Sequence, residues 1–211
     1  MTAAATIFLA AALVVAALDW VAVATSRHRL EYVAKPAVMV ALIGAAVSLR
    51  PASPTEQIFF VVALAFGLAS DVFLMLPRDL FLAGLGAALV EHLAYISGFR
   101  TRELHIGWLV AAALIALVSV GVVYPPIDRS LRRQQPRLVG PVIAYLVVFV
   151  VMVASAGGTG SFVALAGALL FFYSDAILAW NRFVKPLPHG RIANIVPYHI
   201  GEALLVLSLI T

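Results

Sequence analysis

Of the 211 residues, 64% are hydrophobic and 11% are charged, and the mean hydropathy is +1.06. Soluble domains carry about 25% charged and 45–50% apolar residues, so this composition excludes a soluble globule, a disordered tail and a nucleic-acid binder. The formal charge of +4 specifies no anionic partner, since basic residues in membrane proteins mainly set orientation, and the lack of cysteine removes disulfides, thiolate metal sites and cysteine nucleophiles.

A helix that crosses a bilayer needs about 20 mostly apolar residues. Eight such stretches follow one another, over 3–24, 30–49, 56–76, 80–100, 105–124, 138–156, 160–184 and 191–211. The breaks between them are polar or rich in Pro, Gly and charge, among them SRHR, RPASP, PPIDRSLRRQQPR and KPLPHGR. No stretch is left over for a soluble domain, and the longest break, 125–137, is too short to fold alone. The first apolar run is not expected to be a signal peptide, because no Lys or Arg precedes it. The expected architecture is an all-α polytopic bundle of eight transmembrane helices, a single domain over 1–211, in the cell membrane.

Orientation follows from the basic residues in the loops. Those after the first, third, fifth and seventh helices hold ten Lys and Arg, the others hold three, and Lys35 lies inside the second helix. This asymmetry places the richer loops in the cytoplasm and both termini on the non-cytoplasmic side. FGLASDVFLM (66–75) and LFFYSDAILA (170–179) share a Ser-Asp step four helices apart. An even number of helices between them would make a duplication parallel, a 4+4 repeat about an axis along the membrane normal.

Ionisable groups within a span cost about 2.5–3.5 kcal/mol each at mid-helix. Asp19, Lys35, Asp71, Glu91, His92, Asp175, His199 and Glu202 all fall within the expected spans. The topology gathers most of them in the cytoplasmic half, as a water-accessible cavity opening to that side would require. Asp19 is near an interface and is expected to snorkel or cap. Lys35 either reaches the interface on its long stem, marks a kink with Pro36, or serves a site. Asp71 and Asp175 are too short to snorkel far, which favours a buried polar role. Glu91 and His92 point about 100° apart, so one of the two is expected to face the cavity. His92 with Tyr95 and His199 with Glu202 share faces at i,i+3 spacing, as helix-to-helix glue or as site residues. Trp20, Trp108 and Tyr124 read as interfacial belt residues. No His-Glu-x-x-His motif is present, and two in-span histidines with carboxylates are a weak metal constellation.

The ordered set of motifs resembles the lysoplasmalogenase, or YhhN-type, family of integral membrane proteins. It comprises Lys35-Pro36, FGLASDVFLM with Asp71, a Phe-rich start to the fourth helix followed by EHLAYI, LLFFYSDAILAWNRF with Asp175, and YHIGEALLVLSL. The resemblance covers essentially the whole chain. One departure stands in the closing motif, which in the family commonly reads Tyr-x-x-x-Gln, whereas here Tyr198 is followed by Glu202. The resemblance implies hydrolysis of the vinyl ether of a lysoplasmalogen, giving a fatty aldehyde and a glycerophospho-alcohol. Two carboxyls in unlike environments can divide that work, one protonated and one ionised. On this reading Asp71 and Asp175 are catalytic. Lys35, His92, Tyr95, Tyr198 and Glu202 bind substrate, and Ser70, Ser174 and His199 support the site. No metal or cofactor is expected, and the partners are a lysophospholipid and the bilayer. The alternatives are a small lipid transporter or lipid-binding membrane protein, and a metal-dependent amidase-like enzyme using His92, His199, Asp71 and Asp175.

Overall fold

A computed structural model describes residues 1–211. The chain folds as eight α-helices and no strands: α1 Ala3–Ala24, α2 His28–Ser48, α3 Pro54–Met75, α4 Phe81–Phe99, α5 Ile106–Gln134, α6 Val139–Gly158, α7 Phe162–Phe183 and α8 Gly190–Ser208. Seven are long and apolar enough to cross a membrane. The exception is α8, whose Arg191, Asn194, His199 and Glu202 dilute its apolar character.

Local chemistry explains the helix starts. Thr2, Ser53 and Ser161 each accept a hydrogen bond from the backbone N–H three residues on, capping α1, α3 and α7. Pro54 follows Ser53 in the first turn, where its missing N–H costs nothing. Helix α2 runs unbroken through Pro36, and α8 through Pro197.

The largest departure from the sequence reading is at α5. The stretch 125–137 is not a loop, because α5 continues through Pro125 and Pro126 to Gln134 and a short 3₁₀ turn, Pro136–Leu138, leads into α6. The two prolines remove helix donors, but the extension is amphipathic. Ile127 and Leu131, at i,i+4 spacing, bury against Val142 and Phe183. On another face Asp128 accepts from Tyr124 Oη at 3.1 Å and from Arg132 Nε at 2.8 Å. Ser130 donates to the Phe183 carbonyl. This packing offsets the cost of the prolines.

The helices form four antiparallel hairpins, α1–α2, α3–α4, α5–α6 and α7–α8. Further packing of α2 on α3, α4 on α6, α6 on α7 and α8 on α2 closes a ring of six helices, with α1 and α5 outside it. The α7–α8 pair is close. A Cβ on Gly167 would stand 2.9 Å from the Gly201 carbonyl oxygen, and one on Gly201 equally close to that of Gly167. Small residues let helix backbones approach in this way.

The two ends of the bundle differ. At one end Arg102 ties three elements together, pairing with Glu56 of α3 at 2.7 Å and donating to the carbonyls of Ser208, the last residue of α8, and of Thr211 beyond it. Gln57 there donates to Ala46 and Leu49 at the end of α2. The other end, where α1, α3 and α7 finish and α2, α4 and α8 begin, opens into a cavity of about 460 Å³. It is the end that carries the ten basic residues.

Candidate active site

Each of the six ring helices sends a polar side chain into the cavity wall: Lys35 from α2, Asp71 from α3, Glu91 from α4, Tyr145 from α6, Asp175 from α7 and Tyr198 from α8. Asp71 and Asp175, the residues of the two Ser-Asp steps, therefore share one cavity, with Glu91 also at its wall, and the surroundings of the two aspartates differ.

Asp71 is 5% exposed and doubly held. Lys35 Nζ lies 2.7 Å from one carboxylate oxygen, and Tyr198 Oη donates to the other at 2.9 Å. Lys35 also stands 5.4 Å from the centre of the Tyr198 ring. Within the bilayer, this ammonium lets Asp71 exist as an anion without an isolated charge. Asp175 is only partly buried, and no cation pairs with it. Its partner is the Tyr145 hydroxyl, which donates to it and also lies 2.8 Å from His92 Nε2.

The serines of the two Ser-Asp steps act alike. Ser70 Oγ donates to the Gly84 carbonyl of α4, and Ser174 Oγ to the Asn194 carbonyl of α8, both at 2.9 Å. Asn194 returns two bonds to Ser174. These contacts fix the rotation of α3 and α7 and so the direction of the neighbouring aspartates.

The other expected site residues fall outside the cavity lining. His92 is fully buried behind Tyr145, its ring 4.0 Å from that of Phe149. Tyr95 is buried and donates to Glu202 Oε2 at 2.6 Å. Glu202 is itself fully buried, and its Oε1, like Glu91 Oε1, has no hydrogen-bond partner. Room for Glu91 depends on Gly67, where a Cβ would stand 2.3 Å from Glu91 Oε1. Of the two neighbours only Glu91 faces the cavity, as their 100° separation led one to expect, and His92 lies behind the wall.

His199 faces α1 instead, where Trp20 Nε1 donates to its Nδ1 at 3.1 Å. Trp20 is thus an inter-helix donor. Asp19 does not snorkel, for it is 0% exposed. With His199 bonded to α1 and His92 behind the wall, no three His, Asp or Glu side chains converge in a metal-holding group.

The structure adds residues that the sequence reading passed over. Tyr145 is one tyrosine in an apolar run and carries no positional signal. Asn194 and Arg191 precede the closing motif, and Glu31 and Arg182 lie at helix ends. All five line the cavity.

The YhhN family model matches residues 30–209, from the start of α2 to the end of α8. The chain belongs to the YhhN family. Among curated relatives, the lysoplasmalogenase TMEM86B of Sus scrofa is 35% identical over 150 residues and that of Homo sapiens 32% over 149, each alignment covering 69% of this chain and 61% of the relative. The lysoplasmalogenase TMEM86A of Homo sapiens is 29% identical over 166 residues, covering 74% of this chain and 67% of that protein. The chain thus matches about three-fifths of the length of its TMEM86B relatives. No solved structure matches it. The family match takes in nearly all of the six ring helices, and with them Lys35, Asp71, Glu91, Tyr145, Asp175 and Tyr198.

Proposed function

We propose that this YhhN-family protein is a membrane-embedded hydrolase that cleaves the vinyl ether of lysoplasmalogens, or of a related lysolipid, by carboxylate acid–base catalysis. All eight helices, α8 included, cross the membrane on this reading. The parallel 4+4 arrangement belongs to it too, supported by the matching Ser-Asp contacts and the outlying positions of α1 and α5. The relatives' names supply the substrate class. The observation that carries the mechanism is the unequal environment of the two cavity aspartates, Asp71 with a cation and Asp175 without one.

Vinyl ether hydrolysis begins with proton transfer to the alkene carbon remote from the ether oxygen. In the proposed mechanism Asp175, protonated on the oxygen that Tyr145 does not engage, is the donor, while Tyr145 continues to donate to its other oxygen. The resulting oxocarbenium ion lies beside Asp71, whose negative charge stabilises it. Water adds to the cationic carbon as a carboxylate accepts its proton, giving a hemiacetal. Collapse breaks the bond to the glycerol oxygen, which takes up a proton, and releases the aldehyde. One water is consumed and no electron changes hands.

The test is to give purified protein a panel of lysolipids with and without the vinyl ether and to measure aldehyde. Aldehyde is expected from the vinyl ether substrates alone. Its absence from all of them rejects the reading and leaves lipid transport or binding as the alternative.

A further inference from the structure

Four cationic or basic side chains line the cavity: Lys35, His28, Arg182 and Arg191. Lys35, expected either to meet an anionic head group or to pair with a cavity carboxylate, does the latter through its 2.7 Å contact with Asp71. The two arginines stand at the rim, each with most of its hydrogen-bonding capacity unspent. Arg182 donates through Nη2 to Asp79 at 2.8 Å, and its guanidinium lies 4.2 Å from the Phe81 ring centre. Stacking on Phe81 leaves the in-plane edges of the guanidinium free. Arg191 spends Nη2 alone on Glu31, at 2.6 and 2.7 Å to its two oxygens. Neither uses Nε or Nη1. The Nε–H and Nη1–H groups left over are charge-assisted donors of the kind that phosphate oxygens accept.

Their depth is the second observation. Arg182 lies seven residues after Asp175 on α7, and Arg191 seven residues before Tyr198 on α8. Seven residues is close to two helical turns, so each arginine shares a face with the site residue and stands about 10 Å above it. The helices are antiparallel and joined by a short turn, so both arginines reach the same end of the cavity. A glycerol backbone with its two bridging oxygens spans a gap of that order. An anion held at the rim therefore places the alkene of the same molecule at the depth of Asp71 and Asp175.

We propose that Arg182 and Arg191 form a phosphate clamp at the cavity mouth that holds the phosphodiester of a lysophospholipid, with Lys35 excluded from head-group binding by Asp71. This rests on the proposed hydrolysis for the position of the alkene, though not for the existence of the anion site. Asp79 and Glu31 act as stand-in anions in the empty clamp, and Asp79, 75% exposed at its side chain, is the more easily displaced.

The experiment compares two substrates that differ only in the phosphate, an alkenyl-glycerophosphoethanolamine and the matching alkenylglycerol. The readout is the ratio of their kcat/KM values. Arg182→Gln and Arg191→Gln are each expected to lower the phospho-to-neutral ratio by about tenfold, as the loss of a charged hydrogen-bonding partner does. Asp79→Asn releases Arg182 and is expected to raise the ratio. A purely structural Arg182–Asp79 pair would instead move both variants the same way. An unchanged ratio in the arginine variants, or a fall in Asp79→Asn, overturns the clamp. Should wild type release aldehyde from neither substrate, the hydrolase reading fails and the clamp is judged by binding. Lysophosphatidylethanolamine must then shift the melting temperature more than monoacylglycerol does, and Arg182→Gln with Arg191→Gln must abolish that preference. If it persists, the clamp falls as well.

Discussion

The Lys35–Asp71 contact makes opposite demands on stability and on activity. Removing one partner of a buried ion pair leaves an uncompensated charge and costs about 3–5 kcal/mol, whereas removing both can be close to neutral. Lys35→Met is therefore expected to lower thermal stability in detergent strongly, and Lys35→Met with Asp71→Asn to recover most of it while remaining inactive. Arg50→Met, at the opposite end of the bundle, should do neither. A double variant as unstable as the single one would show that Lys35 supports the fold by other means. Asp71→Asn and Asp175→Asn keep size and much of the hydrogen bonding, but the first loses the negative charge and the second the titratable proton. Each should reduce aldehyde release by at least the roughly 10²-fold typical of lost acid–base catalysis. If a folded variant retains near-normal turnover, that aspartate is only bundle glue. The two aspartates stood out in the sequence because a short charged side chain in an apolar helix has nowhere to hide. Tyr145 did not, because a tyrosine suits lipid, interface and site alike, and only the packing of α6 against α7 decides between them.

Among the elements, α5 shows how a charged, proline-bearing stretch can mislead. In PPIDRSLRRQQPR the charges mask an i,i+4 apolar pair, Ile127 and Leu131, whose partner surface on Val142 and Phe183 is visible only in three dimensions. A helix hides backbone from proteases that a loop would offer. Brief trypsin treatment should thus spare Arg129, Arg132 and Arg133 in wild type and cleave there several-fold faster in Leu131→Ala, as read by mass spectrometry. Equal cleavage would indicate that the extension is already frayed. The α7–α8 hairpin makes the complementary case. Its glycines gave no sign in the sequence of facing each other, yet they set the separation of the helices that carry Asp175 and Tyr198. Gly201→Val forces branched carbon against the Gly167 carbonyl, and overpacking of this kind costs about 1–3 kcal/mol. A lower melting temperature is the expected outcome, and an unchanged one would mean the helices part freely.

At the scale of the whole molecule, eight helices were legible because apolar length and polar punctuation survive any arrangement of the bundle. Their neighbours were not, since nothing in one span names the span it touches. The six-helix ring explains why the candidate residues separated into wall and interior: Lys35, Asp71, Asp175 and Tyr198 point inward, while His92, Tyr95 and Glu202 fill the seams and His199 turns to α1. Orientation rests on the ten basic residues at the open end, which should lie in the cytoplasm. A reporter fused after Thr211 and active only in the cytoplasm should stay dark, and a bright one would invert the molecule. The cavity itself runs from an arginine-lined rim to a wall that includes Leu85, Ala88, Val142 and Phe171. For the proposed reaction this gradient acts as a phase separator. The glycerophospho-alcohol drains into water, while the aldehyde, with no charge for the rim to hold, dissolves in the bilayer. With each product drawn into its own solvent, a native membrane pulls the hydrolysis forward in a way that a detergent micelle, with its small apolar reservoir, does not.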